Sequence, residues 1–382
     1  MRGTVLGLYT STLLVQALTF VLRPTSAYRA IELGVSAQWL GLLAASFALL
    51  PLVLAVVVGR LSDRVGEKLV MVGGALLVLL AALVLAVGAG RLLGLLVANA
   101  LLGLGHLASS VAQQAYVANT ADPRRYDAAF GVYTFASSAG QAVGPAMLAV
   151  LGGSGAIPDT SRVFWAAVAA ACVLVVCTSC LPGGRTARAD GPDDSGSIGT
   201  LVRRRGFFAA LGVSCVLLAA IDITLVYLPV LGAERGIAAA TIGGLLTVRA
   251  VASMASRLCL GPLSRLLGRS RLLLGSLVVS AIGMALVPVP MPLGMLAAVV
   301  AVMGLGLGVG QPMTMSWLAE VTPAGQRGRA MSLRLTGNRL GQVVVPSVAG
   351  LVAAGAGAVG VFGATAAALL GVGFAARRMG PR

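Results

Sequence analysis

Twelve long apolar runs dominate this sequence and restrict what it can fold into. A helix needs about 20 mostly apolar residues to cross the hydrocarbon core of a bilayer. The predicted spans are 4–22, 38–59, 69–89, 93–119, 128–151, 162–182, 206–232, 239–259, 271–289, 292–320, 329–354 and 357–376. The sequence therefore predicts an all-α membrane protein with twelve transmembrane helices.

The composition excludes most other classes of protein. Charged residues make up only 10% of the chain and hydrophobic residues 58%, whereas a soluble domain carries about 25% charged residues. A net charge of +16 would suggest nucleic acid in a soluble protein, but aromatic residues are only 5%, too few for a stacking surface. We therefore expect the lipid bilayer, and no nucleic acid, as a partner.

The distribution of Lys and Arg predicts how the spans are oriented. One set of connections, together with the termini, holds 20 of them, and the alternate connections hold 5, among them Arg23 and Arg29. Because cytoplasmic loops carry the excess of basic residues, both termini are expected in the cytoplasm of a bacterial-type inner membrane. The other three, Arg249, Arg334 and Arg339, fall inside spans.

The two halves of the chain resemble each other at an offset of about 201 residues. GLG occurs at 103–105 and 304–306, and GQAVGP at 140–145 matches GQVVVP at 341–346. Two six-span halves of the same orientation form a parallel repeat, which places a substrate site between them near the membrane midplane. The predicted division is an N-terminal six-helix bundle over 1–182, a cytoplasmic linker over 183–205 and a C-terminal six-helix bundle over 206–382.

The loop between spans 2 and 3 carries a recognisable motif. It reads GRLSDRVGEK from Gly59 to Lys68, with a degenerate copy at 261–271 in which Arg265 stands where the first copy has Asp63. With the twelve spans and the repeat, this resembles the major facilitator superfamily over the whole chain. The resemblance implies the major facilitator fold, two parallel six-helix pseudo-repeats. It also implies that Asp63 binds the N-terminus of span 11, near Arg329, where exposed N–H groups attract an anion. This contact would hold the cytoplasmic side shut. The predicted gate-loop residues are Gly59, Asp63, Arg64, Gly66, Lys68 and Arg339.

Span 5 contains glycines at spacings similar to those of the superfamily's drug/proton exporters. Gly131, Gly140, Gly144 and Pro145 match the first part of that pattern, and its last two glycines are absent. Glycines four apart allow close helix approach, and proline can bend a helix. The resemblance implies a bendable seam with span 8 and favours export. Against this, span 4 has Asn99 in place of the coupling arginine that such exporters carry.

Polar residues inside spans mark the predicted substrate and proton pathway. Charges at membrane depth are costly and usually serve function. Asp222 is the one carboxylate well inside a span, and His106 is the only histidine, with a pKa range suited to carrying protons. More buried arginines than carboxylates favour an anionic or zwitterionic substrate, or carboxylates shared at the cytoplasmic face. The predicted pathway residues are Asp222, Arg249, Arg334, Asn338, Gln342, His106, Gln113 and Asn99.

These observations favour a secondary active transporter that exports a small organic molecule in exchange for protons by alternating access. Proton-coupled uptake of a small organic anion is the second hypothesis, and a non-transporting membrane sensor or scaffold is the third. The chain has no Walker-type phosphate loop and no metal-ligand cluster, so neither an enzyme, a cofactor nor a metal site is expected. The expected partners are a small-molecule substrate, protons and lipid, and the expected state is a monomer.

Overall fold

The computed structural model describes residues 2–35, 37–151, 158–183, 206–237, 239–323 and 325–376. Within these ranges the chain forms helices and the turns between them, without a β-strand. The first half contains α1 Arg2–Glu32, α2 Ala37–Val65, α3 Glu67–Gly88, α4 Leu92–Thr120, α5 Tyr126–Leu151 and α6 Thr160–Ser179. The second half contains α7 Phe207–Glu234, α8 Ala239–Leu258, α9 Leu260–Leu267, α10 Arg269–Leu286, α11 Leu293–Val321 and α12 Arg327–Ala376.

Each predicted span corresponds to one of these helices. Spans 11 and 12 both lie in α12, on either side of Gly357, whose backbone (φ 61°, ψ −165°) interrupts the helix. Among the described residues, nine helices are long and apolar enough to cross a membrane. Spans 128–151, 239–259 and 329–354 are not among the nine, and the last two carry the arginines that the sequence places inside spans.

The first span is longer than the sequence predicts. It was expected to end at residue 22, but α1 continues through Pro24 to Glu32. Arg23 and Arg29 therefore lie in a helix and not in a loop. Proline does not end the helix here, although it removes one backbone donor.

The faces of α3 show why these helices associate in lipid. Its exposed residues include Leu69, Leu76, Leu80 and Val87, which recur on one side of the helix. Its buried face includes four small residues, Gly74, Ala75, Ala81 and Ala82. Lipid solvates large apolar side chains, so small residues that allow close backbone approach drive helix packing in membranes.

The chain divides into two compact units. Unit 1 comprises Met1–Ala121, Phe135–Asp194 and Pro323–Leu333, and unit 2 comprises Asp122–Thr134, Ser195–Thr322 and Arg334–Arg382. Two short segments, at the start of α5 and the start of α12, are thus grouped away from their sequence neighbours. The predicted linker lies outside the described residues except at Gly183, and the predicted domain boundaries stay a prediction.

The two units repeat the same packing, as the internal repeat predicts. In unit 1, α4 packs against α2 and α3, and in unit 2 α11 packs against α8 and α10. The short turns between helices also repeat: Gly66 (φ 92°) joins α2 to α3, and Gly268 (φ 76°) joins α9 to α10. Glycine is favoured at both because side chains rarely adopt positive φ.

Candidate functional site

Unit 2 contains a buried polar cluster centred on Arg334 of α12. This side chain is 1% exposed, and its Nη1 donates to the Ser214 hydroxyl and to Gln311 Oε1, at 3.0 Å each. The Ser214 hydroxyl in turn donates to Asn338 Oδ1 at 2.9 Å. The structure thus brings together Arg334 and Asn338, both predicted from the sequence, through two residues that were not predicted. Gln342 is the third member of the predicted stripe, and its side chain lies outside those that the structure describes.

Arg249 of α8 forms a second charged group in unit 2. It is 6% exposed, and the negative charge of Asp222 on α7 acts on it. Its Nε is buried and has no hydrogen-bond partner among the described residues. A Cβ added at Gly304 would lie 2.5 Å from the Arg249 carbonyl oxygen, so only glycine allows α11 to approach α8 this closely. Arg249 is therefore a buried cation on a tightly packed scaffold, and half-buried Asp222 acts on it through its charge.

Unit 1 holds a cavity of about 400 Å³. Its lining residues are Phe20, Arg23, Pro24, Ser26, Ala27, Leu43, Asn99 and Pro145. Asn99 Nδ2 donates to the Ser26 hydroxyl at 3.0 Å and to the Leu95 carbonyl at 2.9 Å. Cavities of this volume suit small organic ligands. Asn99 is predicted from the sequence, whereas Arg23 is placed by the sequence in the connection after span 1, whose predicted end is residue 22.

An aromatic residue connects this cavity to the histidine. The Arg23 guanidinium lies 4.3 Å from the centre of the Phe47 ring, a cation–π distance. The Phe47 ring contacts the His106 ring, with centroids 5.9 Å apart. Gln113, two turns further along α4, donates to the Ser11 hydroxyl of α1 at 3.4 Å. The predicted polar face of α4 therefore contacts α1 and α2, and its proposed role in proton transfer stays a prediction.

Asp63, at the end of α2, binds the first turn of α12. Its carboxylate is 5% exposed and accepts from the backbone N–H of Gly328 (2.7 Å) and of Arg329 (3.1 Å), and from Arg329 Nε (3.1 Å). A Cβ at Gly59 would collide with Ser332 and Gly328. The contact needs both the carboxylate and the glycine, and it lies where the family resemblance places it.

The remaining gate-loop residues are placed differently from one another. Gly66 forms the turn after α2. Arg64 is exposed and Lys68 half-exposed, and neither forms an ion pair with a described residue. Arg339 lies ten residues beyond Arg329, about 15 Å along the same helix. Arg329 is thus the arginine that pairs with Asp63, and a gate role for Arg339 stays a prediction.

Two further charged clusters lie at helix ends, one in each unit. In unit 1, Asn119 at the end of α4 donates to Glu67 and accepts from Arg327 Nη1 at 2.8 Å. In unit 2, Arg269 at the start of α10 donates to Asp127 (Nη2, 2.9 Å) and to Glu320. Glu67 and Arg269 occupy matching positions of the repeat, so the charge at this position is inverted between the units.

The glycines of span 5 pack on two different helices. A Cβ at Gly131 would meet the Arg257 carbonyl of α8 and the Leu260 side chain. Gly140 and Gly144 instead face the backbone of α1, at Leu13 and Ala17. The expected seam with span 8 therefore holds for Gly131 only, and Pro145 lines the cavity of unit 1. The spacing of the glycines predicted close packing but not the partner helix.

Helices with apolar outer faces and buried charged and polar groups define a multi-pass membrane protein. The family model described as Major Facilitator Superfamily matches residues 8–237 and 210–381. The chain belongs to this superfamily. A search of curated proteins gave no match.

Solved structures with the same fold cover nearly all of the chain. The human organic anion transporter MFSD10 (TETRAN) has a TM-score of 0.81 at 18% identity, covering 98% of this chain and 99% of that one. The E. coli fucose:proton symporter FucP has a TM-score of 0.81 at 15% identity, covering 98% of each chain. A bacterial homologue of the iron transporter ferroportin has a TM-score of 0.78 at 15% identity, covering 97% and 99%. These TM-scores and coverages establish the shared fold, and the chain is a secondary transporter by family.

Proposed function

We propose that the protein exports a small organic molecule across the inner membrane in exchange for protons, by alternating access. The observation that carries this proposal is a half-buried carboxylate inside a span, Asp222 of α7, whose negative charge acts on the buried Arg249 of α8. Carboxylates at membrane depth are rare and commonly serve proton relays in transporters. Asp222 is an acid whose protonation state changes the charge beside a buried arginine that cannot lose its own proton.

Protonating Asp222 removes the negative charge that acts on the buried Arg249 guanidinium. A charge change of this kind shifts a two-state equilibrium when it stabilises one of the two states more than the other.

In this proposal the cluster around Arg334 contacts the substrate. Its guanidinium donates to two neutral groups, Ser214 and Gln311, which orient the arginine. Asn338 adds an amide on the same side of α12, so this cluster offers polar groups to the neutral part of a substrate.

The contact between Asp63 and the first turn of α12 is proposed to stabilise one of the two transport states. It joins a charged side chain to backbone N–H groups at a helix N-terminus, which favours an anion. Breaking it would expose those N–H groups and the carboxylate, which water solvates when that side opens.

Transport by Asp222→Asn tests the assignment. The purified protein is reconstituted in liposomes, and uptake of ethidium or of 4-aminohippurate is measured with and without an imposed pH gradient. Asp222→Asn is expected to bind the transported compound but to lose acceleration by the gradient. The control is Asp122→Asn, because Asp122 is an exposed carboxylate that caps a short turn. Full proton-coupled transport by Asp222→Asn would contradict the proposal.

Proton-coupled uptake of an organic anion is the alternative, and the buried arginines favour it. Arg249 and Arg334 are both nearly inaccessible, and Asp222 is the carboxylate that acts on this region. The direction of net flux under an imposed pH gradient separates uptake from export. A membrane sensor or scaffold would give no substrate-dependent flux in either direction.

The expected location follows from the charge asymmetry of the loops. Cytoplasmic N- and C-termini are proposed on the positive-inside rule. Accessibility of a terminal cysteine tag to a membrane-impermeant reagent from either side of the membrane tests this orientation.

A further inference from the structure

Arg23 is a half-buried cation for which the described part of unit 1 supplies no anion. It lies inside the membrane-spanning part of α1, and its guanidinium contacts the face of the Phe47 ring. The nearest acid on the same helix, Glu32, pairs with Arg29 at 2.8 Å. Among the residues that the structure describes, no carboxylate lies within ion-pair distance of Arg23. A cation–π contact compensates only part of the cost of a charge at membrane depth.

The internal repeat allows this region of unit 1 to be compared with its counterpart in unit 2, which contains a carboxylate. Gly103 of α4 packs on the Phe47 carbonyl, and Gly304 of α11 packs on the Arg249 carbonyl. Phe47 and Arg249 therefore occupy matching places in the two units. In unit 2 the charge of Asp222 acts on Arg249, and the residue of unit 1 that matches Asp222 is Phe20. Unit 1 thus has two aromatic residues, Phe20 and Phe47, at the places that Asp222 and Arg249 take in unit 2, and its cation, Arg23, lies three residues beyond Phe20.

The cavity beside Arg23 has the size and lining of a ligand site. Its volume is about 400 Å³, within the range typical of small-molecule pockets. Phe20, Leu43 and Pro145 give it an apolar wall, and Asn99 with Ser26 gives it a polar edge. This lining matches a compound that has one negative group and a flat apolar body.

We infer that this cavity binds the carboxylate of an aromatic organic acid, with Arg23 pairing with the carboxylate and the ring lying against the apolar wall. The inference rests on the proposed transport function and names its substrate class. Arginine suits this role because its planar fork matches a carboxylate with two parallel hydrogen bonds. Asn99 and Ser26 hold each other in place at the edge of the site.

Ligand-induced thermal stabilisation of the detergent-purified protein tests the inference. Benzoate and 1-naphthoate are the probes, and benzamide is the neutral analogue of benzoate. A ligand that binds the folded state raises its apparent stability by an amount that grows with the logarithm of the ratio of ligand concentration to Kd. We expect stabilisation by the two acids and none by benzamide.

Variants at two kinds of position make the test specific. Arg23→Gln is expected to weaken benzoate binding by about tenfold or more, the effect of losing a charge-assisted hydrogen bond. Arg23→Lys is expected to retain part of the affinity. Arg91→Gln removes an exposed arginine and is the control, with unchanged binding. Ala27→Leu fills the cavity without changing its charge and is expected to block both acids.

Several results would overturn the inference. The first is that Arg23→Gln binds benzoate as tightly as the unchanged protein does. The second is that benzamide stabilises the protein as much as benzoate does. The third is that neither acid stabilises the protein at concentrations up to millimolar. If Arg23→Gln is poorly folded, shown by a lowered melting temperature without ligand, the Ala27→Leu result decides. Binding of benzoate by Ala27→Leu would mean that the acid does not occupy this cavity, and it would overturn the inference.

The inference and the proposed function can fail separately. Asp222→Asn is expected to bind benzoate normally while losing acceleration by the pH gradient. Arg23-dependent binding together with intact proton coupling in Asp222→Asn would contradict the proposed function and leave the binding site standing. Loss of proton coupling in Asp222→Asn, together with benzoate binding that is unchanged in Arg23→Gln, would support the proposed function and overturn the binding site.

Discussion

Replacing Asp63 by asparagine exchanges one carboxylate oxygen for an amide N–H₂ group at the contact between α2 and the first turn of α12. The Asp63 carboxylate accepts three hydrogen bonds, from the backbone of Gly328 and Arg329 and from the Arg329 side chain. The two N–H groups belong to the first turn of α12, where a helix offers no internal acceptor. The asparagine side chain of Asp63→Asn would keep one oxygen and would turn an amide N–H₂ toward a second donor.

The cost can be worked out from these contacts. A hydrogen bond to a charged group contributes about 1.5–3 kcal/mol, and an anion at a partly buried helix N-terminus up to about 2 kcal/mol. These contributions overlap, and asparagine keeps one acceptor, so we expect the first turn to open more easily by about 3 kcal/mol. Since about 1.4 kcal/mol is tenfold, opening becomes about 100-fold more frequent. Arg329→Gln removes only the side-chain bond, at a 16% exposed position, and should cost about 1 kcal/mol.

Amide hydrogen exchange measures this opening directly. The Gly328 and Arg329 amides owe their protection to Asp63, so their exchange rates report the contact itself. Asp63→Asn should accelerate exchange at these two amides about 100-fold, and Arg329→Gln should accelerate it at Gly328 less than tenfold. Asp122→Asn is the control, since its carboxylate accepts only from the Arg124 amide at an exposed turn.

Two results would refute this reasoning. Exchange at Gly328 and Arg329 that changes less than about twofold in Asp63→Asn would mean that the carboxylate does not hold the turn. A larger effect from Arg329→Gln than from Asp63→Asn would mean that the ion pair, and not the backbone contact, dominates.

Two further predictions concern packing and charge, and chemical denaturation of the purified protein measures both. Gly103→Ala places a Cβ against the backbone of α2 and should destabilise the protein by about 3 kcal/mol. The control is Gly73→Ala, whose Cβ faces open space and should change stability by less than about 1 kcal/mol. Equal effects of the two variants would contradict the close approach of α4 to α2. Arg269 pairs with Asp127, which is 10% exposed, and with Glu320, which is 51% exposed. Asp127→Asn should therefore destabilise the protein by about 2 kcal/mol, and Glu320→Gln by less than about 0.5 kcal/mol. A larger effect from Glu320→Gln than from Asp127→Asn would contradict the argument that burial strengthens the ion pair.

Most of the fold could be predicted from the sequence because bilayer thickness sets the length of each span. The twelve apolar runs all correspond to helical segments, and the repeat predicted the matching packing of α4 and α11. The end of α1 was missed at Pro24 because proline is an ambiguous signal. It stops some helices, yet in membrane spans it is tolerated where neighbouring groups compensate for the missing donor.

Less of the candidate site could be predicted. Charged residues inside spans stand out, so Asp222, Arg249 and Arg334 were found. Their neutral partners, Ser214 and Gln311, were not, because a serine or glutamine in a span has no pattern that separates a partner from a packing residue. Arg23 was missed because its recognition depends on where α1 ends. The glycines of span 5 predicted close approach, but spacing alone does not identify which helix approaches.

The close packing of Gly103 on Phe47 and of Gly304 on Arg249 has a consequence for how the two halves of a duplicated gene diverge. The backbone at this place is fixed in both halves, so a substitution there alters chemistry without altering architecture. One half can then specialise in recognising a solute and the other in sensing acidity. Duplication followed by divergence at one rigid position would thus be enough to separate selectivity from energy coupling within a single polypeptide.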